Sequence, residues 1–398
     1  RRQSNPKPDI LWSTWELLDK NNILETLTSV TVDQGTSYRI VTAEASTQMK
    51  TQFLGSIGFP TFEVTARGVA EESLGDAEIS LVLDISGSMG SNQKMSRLRT
   101  AAQDFIDTVV LDDTLGAVSV NIVPYTAQVN AGAAIMDNLD VTRLHGFSSC
   151  VNFETEDFAS TTISPTKHYT QAPHFELYSS GSGTVTNPSC PMRSYEEITA
   201  YSQNRSALKS QIGQLQDRAN TSIHIGMKWG VGLLDPAFAP VVTKLIAAGK
   251  SDPAFAGRPA AFGGGALKTV ILMTDGVNVN TYGIRDGAYG TPSQRYHWHE
   301  NALVNWVNNN VDSDMRDDFY YVRSTSSNAD SLLSNVCTAA KNKGVLVWSV
   351  GFEVSNHGAS VMRSCASSDS HFFRVEGVEI SEAFQSIARE LNQLKLTQ

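Results

Sequence analysis

The chain has 398 residues, 41% of them hydrophobic and 18% charged. This balance excludes wholesale disorder and allows either two ordinary domains or one enlarged by insertions. A formal net charge of −10 lacks the basic footprint that nucleic-acid binding requires, and no run of about 18 apolar residues reads as a membrane-spanning helix. The opening Arg1-Arg2-Gln3-Ser4-Asn5-Pro6 is polar and unlike a signal peptide, so the expectation is a mature or trimmed chain without its upstream targeting segment.

In chain order, residues 1–75 read as a small β-rich module. Leu27 to Val32 and Ser37 to Val41 are short β-prone runs, and Phe62 to Val69 alternates apolar and polar residues at period two. Ile10 to Ile23 has some helical character. From residue 76 the pattern changes. Ile79 to Asp84 is a buried strand ending in a carboxylate, followed by a Gly/Ser turn and a helix from about Met95 to Val110. Leu98, Ala102, Phe105, Ile106 and Val109 share one face of that helix. Val118 to Val123 is a second strand, closed by Pro124, and Lys268 to Met273 a third, leading into Asp275-Gly276. Gly344 to Val350 is a further strand, preceded by a helix through Leu332, Val336 and Ala340. His371 to Val375 makes a short last strand, and Ile380 to Leu394 a closing helix with Phe384, Ile387, Ala388 and Leu391 on its apolar face.

Strands alternating with helices predict an α/β fold with a doubly wound, mostly parallel sheet, in which ligands gather at the carboxyl ends of the strands. Asp84 and Asp275 both fall there. Three insertions, at about 130–200, 236–266 and 277–328, interrupt the alternation and are rich in Gly, Ser, Asn and Pro; loops of that length are unusual unless functional or locally folded.

Asp84-Ile85-Ser86-Gly87-Ser88 places a carboxylate at a strand end and two hydroxyls on the next turn. These are hard oxygen donors suited to Mg²⁺ or Mn²⁺, with Ca²⁺ as a looser alternative. Gly87 permits the close turn. Taken alone, the segment reads equally well as a helix cap. Thr221, on a loop between a helix over about 204–216 and the start of another, adds a hydroxyl, and Asp275 adds a second strand-end carboxylate.

Together, Asp84-Ile85-Ser86-Gly87-Ser88, Thr221 and Thr274-Asp275-Gly276 resemble the metal-ion-dependent adhesion site of von Willebrand factor A domains, over a stretch from about residue 79 to the C-terminus. The resemblance implies that Asp84, Ser86, Ser88, Thr221 and Asp275 hold one divalent metal, directly or through water. One coordination position would stay open for an acidic side chain of a protein partner. A narrower resemblance is to the TadG-like proteins of bacterial tight-adherence (Flp/Tad) pilus systems. It rests on Asn121-Ile122-Val123-Pro124-Tyr125, Val129-Asn130, Thr221 to Gly230, Cys337 through Lys343-Gly344 to Cys365, Phe372-Phe373, and Ala383 to Ala388. It implies a non-enzymatic adhesion or assembly component, periplasmic or at the cell surface. Members of that family usually carry an N-terminal membrane helix, which this chain lacks, so membrane attachment would come only through a missing anchor.

The four cysteines form two local pairs, Cys150 with Cys190 and Cys337 with Cys365. Free buried thiols are one reading and disulfides of an oxidising compartment the favoured one, because no close Cys spacing suits zinc. His297-Trp298-His299-Glu300 invites a second metal site or the base of a metal-dependent hydrolase, but its flanks read as a loop entering a helix. His224 reads as a packed or capping residue. Trp229, with Ile225 and Leu233 at helical spacing, reads as core. Asp312, Asp314, Asp317 and Asp318 read as a solvated face rather than a calcium loop. No nucleophile elbow, phosphate-binding loop or dinucleotide fingerprint is present. An intracellular adaptor for an ATP-driven machine is a further alternative, and it would require reduced cysteines.

Overall fold

The computed structural model describes residues 26–34, 38–50, 61–73, 75–112, 115–178 and 185–396; the helical stretch expected over Ile10 to Ile23 lies outside them. The chain divides between residues 74 and 75 into two compact units. In the first, β1 (Leu27–Gln34), β2 (Tyr38–Lys50) and β3 (Thr61–Ser73) form an antiparallel sheet. β2 and β3 pair without interruption from Tyr38 opposite Ser73 to Lys50 opposite Thr61.

The second unit is built on a six-stranded sheet. Its strands are β4 (Ala77–Asp84), β5 (Val118–Tyr125), β9 (Thr199–Ser202), β10 (Leu267–Thr274), β13 (Leu346–Phe352) and β14 (Phe372–Val375), in the order β14-β13-β10-β4-β5-β9. The pairings from β14 to β5 are parallel, and β9 pairs antiparallel with β5. Every residue of β4, β5 and β10 is buried, as expected for strands covered on both faces. Alternate residues point to opposite layers. Val82, Val270, Leu272 and Val347 pack with α3 (Ile223–Leu234) and α7 (Ser326–Asn342). Leu81, Leu83, Ile271, Met273 and Trp348 pack with α1 (Lys94–Val109) and α9 (Glu379–Leu396). Phe105 of α1 meets Phe384 of α9 edge to face, with centroids 6.1 Å apart.

Pro124 lies inside β5 rather than closing it. The strand tolerates it because β9 pairs with β5 only at Val120 and Ile122, so beyond Ile122 one side of β5 has no ladder to interrupt.

The central helix α3 is buried over its whole length, and glycines let it approach its neighbours. A Cβ on Gly226 would stand 2.6 Å from the Tyr125 ring, one on Gly230 2.5 Å from Val82, and one on Gly232 2.3 Å from Ile163. Gly230→Ala is therefore expected to destabilise the protein by about 1–3 kcal/mol through overpacking, although alanine is the better helix former by about 1 kcal/mol. The midpoint of urea unfolding reads this directly, and an unchanged or raised midpoint would show that helix and sheet separate without cost. On the same helix the buried Lys228 ammonium donates to the carbonyls of Asp157, Ser160 and Thr162 at 2.7–2.8 Å. Burial lowers its pKa to about 8.

The described parts of the insertions are folded. The first contains a small sheet of β6 (Asp140–Thr142), β8 (His168–Gln171) and β7 (Val151–Asn152), and then the edge strand β9. α2 (Arg205–Gln214) follows β9. The second insertion contains α4 (Ala239–Ala247). The third contains the antiparallel pair β11 (Thr281–Ile284) and β12 (Tyr320–Ser324), with α5 (Pro292–Glu300) and α6 (Leu303–Asn310) between them. A separate apolar cluster around Trp298, Leu303 and Val307 supports it. His297, His299 and Glu300 thus lie in a helix that opens with a Thr291/Gln294 capping box, not in a loop entering one.

Cys150 is bonded to Cys190, and Cys337 of α7 to Cys365 at the end of α8 (Asn356–Cys365), with Cα separations of 5.9 and 5.1 Å. Among the described residues there is no free cysteine.

Candidate metal centre

β4 and β10 run side by side and in parallel, so their carboxyl ends deliver Asp84 and Asp275 to the same edge of the sheet. Asp84 is fully buried. Its Oδ1 accepts from the Ser86 amide at 2.8 Å and its Oδ2 from the Thr274 hydroxyl at 2.6 Å. Burial, and after it the charge of Asp275, push the Asp84 carboxyl up to about 6.

The turn after Asp84 is held against the loop that carries Thr221. The Gly87 amide donates to the Ala219 carbonyl (3.0 Å) and the Arg218 amide to the Ile85 carbonyl (2.9 Å). A Cβ on Gly87 would stand 3.1 Å from the Ala219 carbonyl oxygen, which is why glycine suits this position. Ala219 itself has φ +53°, a left-handed conformation that costs a non-glycine residue on the order of 1 kcal/mol. Asn278 secures the far side of this loop. Its Oδ1 accepts from the Ile223 amide at 2.8 Å, and its Nδ2 donates to Asp330 at 2.9 Å.

The hydroxyls converge with the carboxylates. Ser86 Oγ and Ser88 Oγ are 3.1 Å apart, and Ser88 Oγ donates to Asp275 Oδ1 at 2.6 Å. A Cβ on Gly276 would lie 3.8 Å from Ser88 Oγ and 4.0 Å from Thr221 Oγ1, so both hydroxyls border the same small space beside Asp275. All five residues singled out from the sequence meet at this sheet edge.

Sequence reasoning missed Lys94. Its ammonium donates to Asp275 Oδ2 at 3.0 Å and lies 3.9 Å from Glu353, which in turn is 3.6 Å from Arg97. Lys94 is the first residue of α1, preceded by Asn92 and Gln93, both with left-handed φ. A lysine at a helix N-terminus opposes the helix dipole, and that mismatch is the one sign of it in the sequence. One oxygen of Asp275 thus faces the Ser88 hydroxyl and the other an internal cation. The donor set, two carboxylates and three hydroxyls, fits a hard divalent ion.

The other candidates sit elsewhere. His224 is buried, with Nδ1 3.2 Å from Asn278 Oδ1. Trp229 is fully buried in the core. His297 packs edge-on between Trp298 and Trp306, and His299 stacks on Phe147 at 4.0 Å. Among the described residues neither histidine bonds to the strand-end residues, and no three His, Cys, Asp or Glu side chains are gathered to hold a metal. Asp312, Asp314, Asp317 and Asp318 are exposed.

The sequence matches no protein-family model and no curated protein. Solved structures similar to this chain include the vWF domain of the type V pili tip protein Mfa5 from Porphyromonas gingivalis, with 12% identity and a TM-score of 0.41, covering 81% of this chain and 97% of that one. The pilus adhesin SpaC from Lactobacillus rhamnosus GG is 13% identical with a TM-score of 0.38, over 92% of this chain and 34% of its own; this chain thus spans about a third of that adhesin. The adhesive tip pilin GBS104 from Group B Streptococcus agalactiae is 13% identical with a TM-score of 0.36, over 79% of this chain and the whole of its own.

Proposed function

We propose that this chain is a non-enzymatic, metal-dependent binding protein of the bacterial cell envelope, acting in adhesion or in assembly of a tight-adherence pilus. The convergence of Asp84, Ser86, Ser88, Thr221 and Asp275 at one sheet edge carries this reading. These residues would hold Mg²⁺, with Mn²⁺ or Ca²⁺ as alternatives. When bound, the ion supplies an electrophilic position for a carboxylate of a protein partner.

The chain's own residues prepare that position. The Ser86 amide and the Thr274 hydroxyl fix Asp84, and Gly87 and Ala219 lock the two loops together. Lys94 balances one oxygen of Asp275 while the other stays with the hydroxyls. Two buried carboxylates near each other, with the Lys94 ammonium bonded to Asp275, favour a further cation. Two disulfides support an oxidising, extracytoplasmic location, and the TadG-like motifs support the pilus association.

In calorimetric titration of chelator-stripped protein, Ser88→Ala is expected to bind Mg²⁺ at least about tenfold more weakly than wild type, a loss of about 1.4 kcal/mol or more, while staying folded, its unfolding midpoint lowered only by the lost hydrogen bond to Asp275. Equal binding by both proteins would refute the assignment.

A further inference from the structure

A cavity of about 330 Å³ opens between the first and third insertions. One of its lining residues, Asn220, directly precedes Thr221. Its walls mix polar and apolar side chains. Gln128, Asn152 and Asn220 contribute side-chain amides to the lining, and among the described residues the buried Gln128 Oε1 has no hydrogen-bond partner. An unsatisfied buried acceptor costs about 1–3 kcal/mol.

Two tyrosines, Tyr282 and Tyr321, also line the cavity. The Tyr321 ring lies across Gly283, where a Cβ would approach it to 2.8 Å, and the Arg285 guanidinium lies 4.7 Å from its centroid. Arg295 closes the wall. Its guanidinium donates to the carbonyls of Tyr289 (3.0 Å), Leu144 (2.8 Å) and Gly290 (2.9 Å), with no carboxylate partner among the described residues. It spans both insertions and holds them at a fixed separation.

We propose that this cavity binds a single sugar ring of a glycan, at a position separate from the metal centre. An amide both donates and accepts, as does each hydroxyl of a sugar, and fixed aromatic rings give the apolar face of such a ring a surface to pack on. The unpaired cation of Arg295 favours an oxygen-rich ligand and disfavours a basic one. The volume lies at the small end of ligand pockets, fitting one compact unit, whereas peptide recognition draws on a long sheet edge or an extended apolar groove.

Saturation-transfer NMR on the whole chain in excess EDTA tests the proposal, with the methyl glycosides of glucose, galactose, mannose and N-acetylglucosamine at millimolar concentration. At least one glycoside is expected to show saturable transfer, unchanged when Mg²⁺ replaces EDTA. The Gln128→Leu/Asn152→Leu variant is expected to bind that glycoside at least about tenfold more weakly. Its thermal midpoint should stay close to that of wild type, since the Gln128 Oε1 has no partner to lose. Absence of transfer from every glycoside, transfer that survives in a folded double variant, or loss of transfer in EDTA would overturn the assignment. So would displacement of the sugar by an equimolar short acidic peptide. Because the readout is taken without metal, a negative result leaves the Mg²⁺ titration of Ser88→Ala untouched, and the reverse holds equally.

Discussion

Between about pH 7 and about pH 5 the wild-type protein is expected to lose roughly 4 kcal/mol of folding stability that a His174→Gln/His224→Gln variant keeps. Both imidazoles are buried. His174 meets the Ser148 hydroxyl through Nδ1 at 2.9 Å, while its Nε2 is buried without a partner. Burial, then the neighbouring His145 and His299, lower its pKa from 6.5 to about 3. Burial lowers that of His224 from 6.5 to about 4, against the opposing pull of Asn278 and Asp330.

Below pH 6.5 each of these groups takes up a proton in the unfolded chain and stays neutral in the folded one. Stability therefore falls as the pH falls, by about 1.4 kcal/mol per pH unit for each histidine. His145 and His297, also lowered by burial, act in the same direction. Asp84 acts oppositely, because its carboxyl is raised to about 6 and gains a proton in the folded state first. For that reason the comparison is between wild type and variant, by urea unfolding at each pH, and not on the absolute curve. Parallel curves for the two proteins would mean that neither histidine is held neutral.

Removal of Glu78 is expected to cost about 3–5 kcal/mol. This carboxylate is fully buried in β4. It pairs with Lys268 of β10, accepts from Arg258 at 3.2 Å and from the Ala260 amide at 2.7 Å. Lys268 also donates to the Leu234 carbonyl at 2.9 Å, and Arg258 lies 2.6 Å from Asp76. Glu78→Ala strands the buried Lys268 and leaves Arg258 with Asp76 alone, whereas Glu78→Leu combined with Lys268→Met and Arg258→Met removes the three buried charges and leaves only the part-exposed Asp76. Such apolar replacements are often neutral or stabilising, so the triple variant should recover most of the loss in a urea titration. A single variant as stable as wild type would show that the lysine and arginine reach solvent without cost.

The strands and helices around the sheet were legible because their signals are local. Ile79 to Asp84 and Lys268 to Met273 are near-continuous apolar runs. Phe384, Ile387, Ala388 and Leu391 recur at helical spacing, and the structure places all of them in the core. β9 was not legible. Thr199 to Ser202 is four residues long and gains its place only by pairing with β5. The insertions were hidden for a related reason, since their apolar residues close on one another across long separations, as Phe175 does with Trp298 and Leu303. Their chain-local composition resembles loop.

At the candidate metal centre, the sequence by itself determined which residues could donate oxygen and at which strand ends they stand, because carboxylate, hydroxyl and glycine positions are encoded residue by residue. Only the tertiary structure decided that Lys94 shares Asp275, that Asn278 and Ala219 hold the Thr221 loop, and that the two insertions enclose a cavity beside it. Those relations join residues distant in the chain, such as Lys94 and Asp275 at 181 positions apart. No periodicity records them, because each depends on where packing, rather than propensity, brings the backbone to rest.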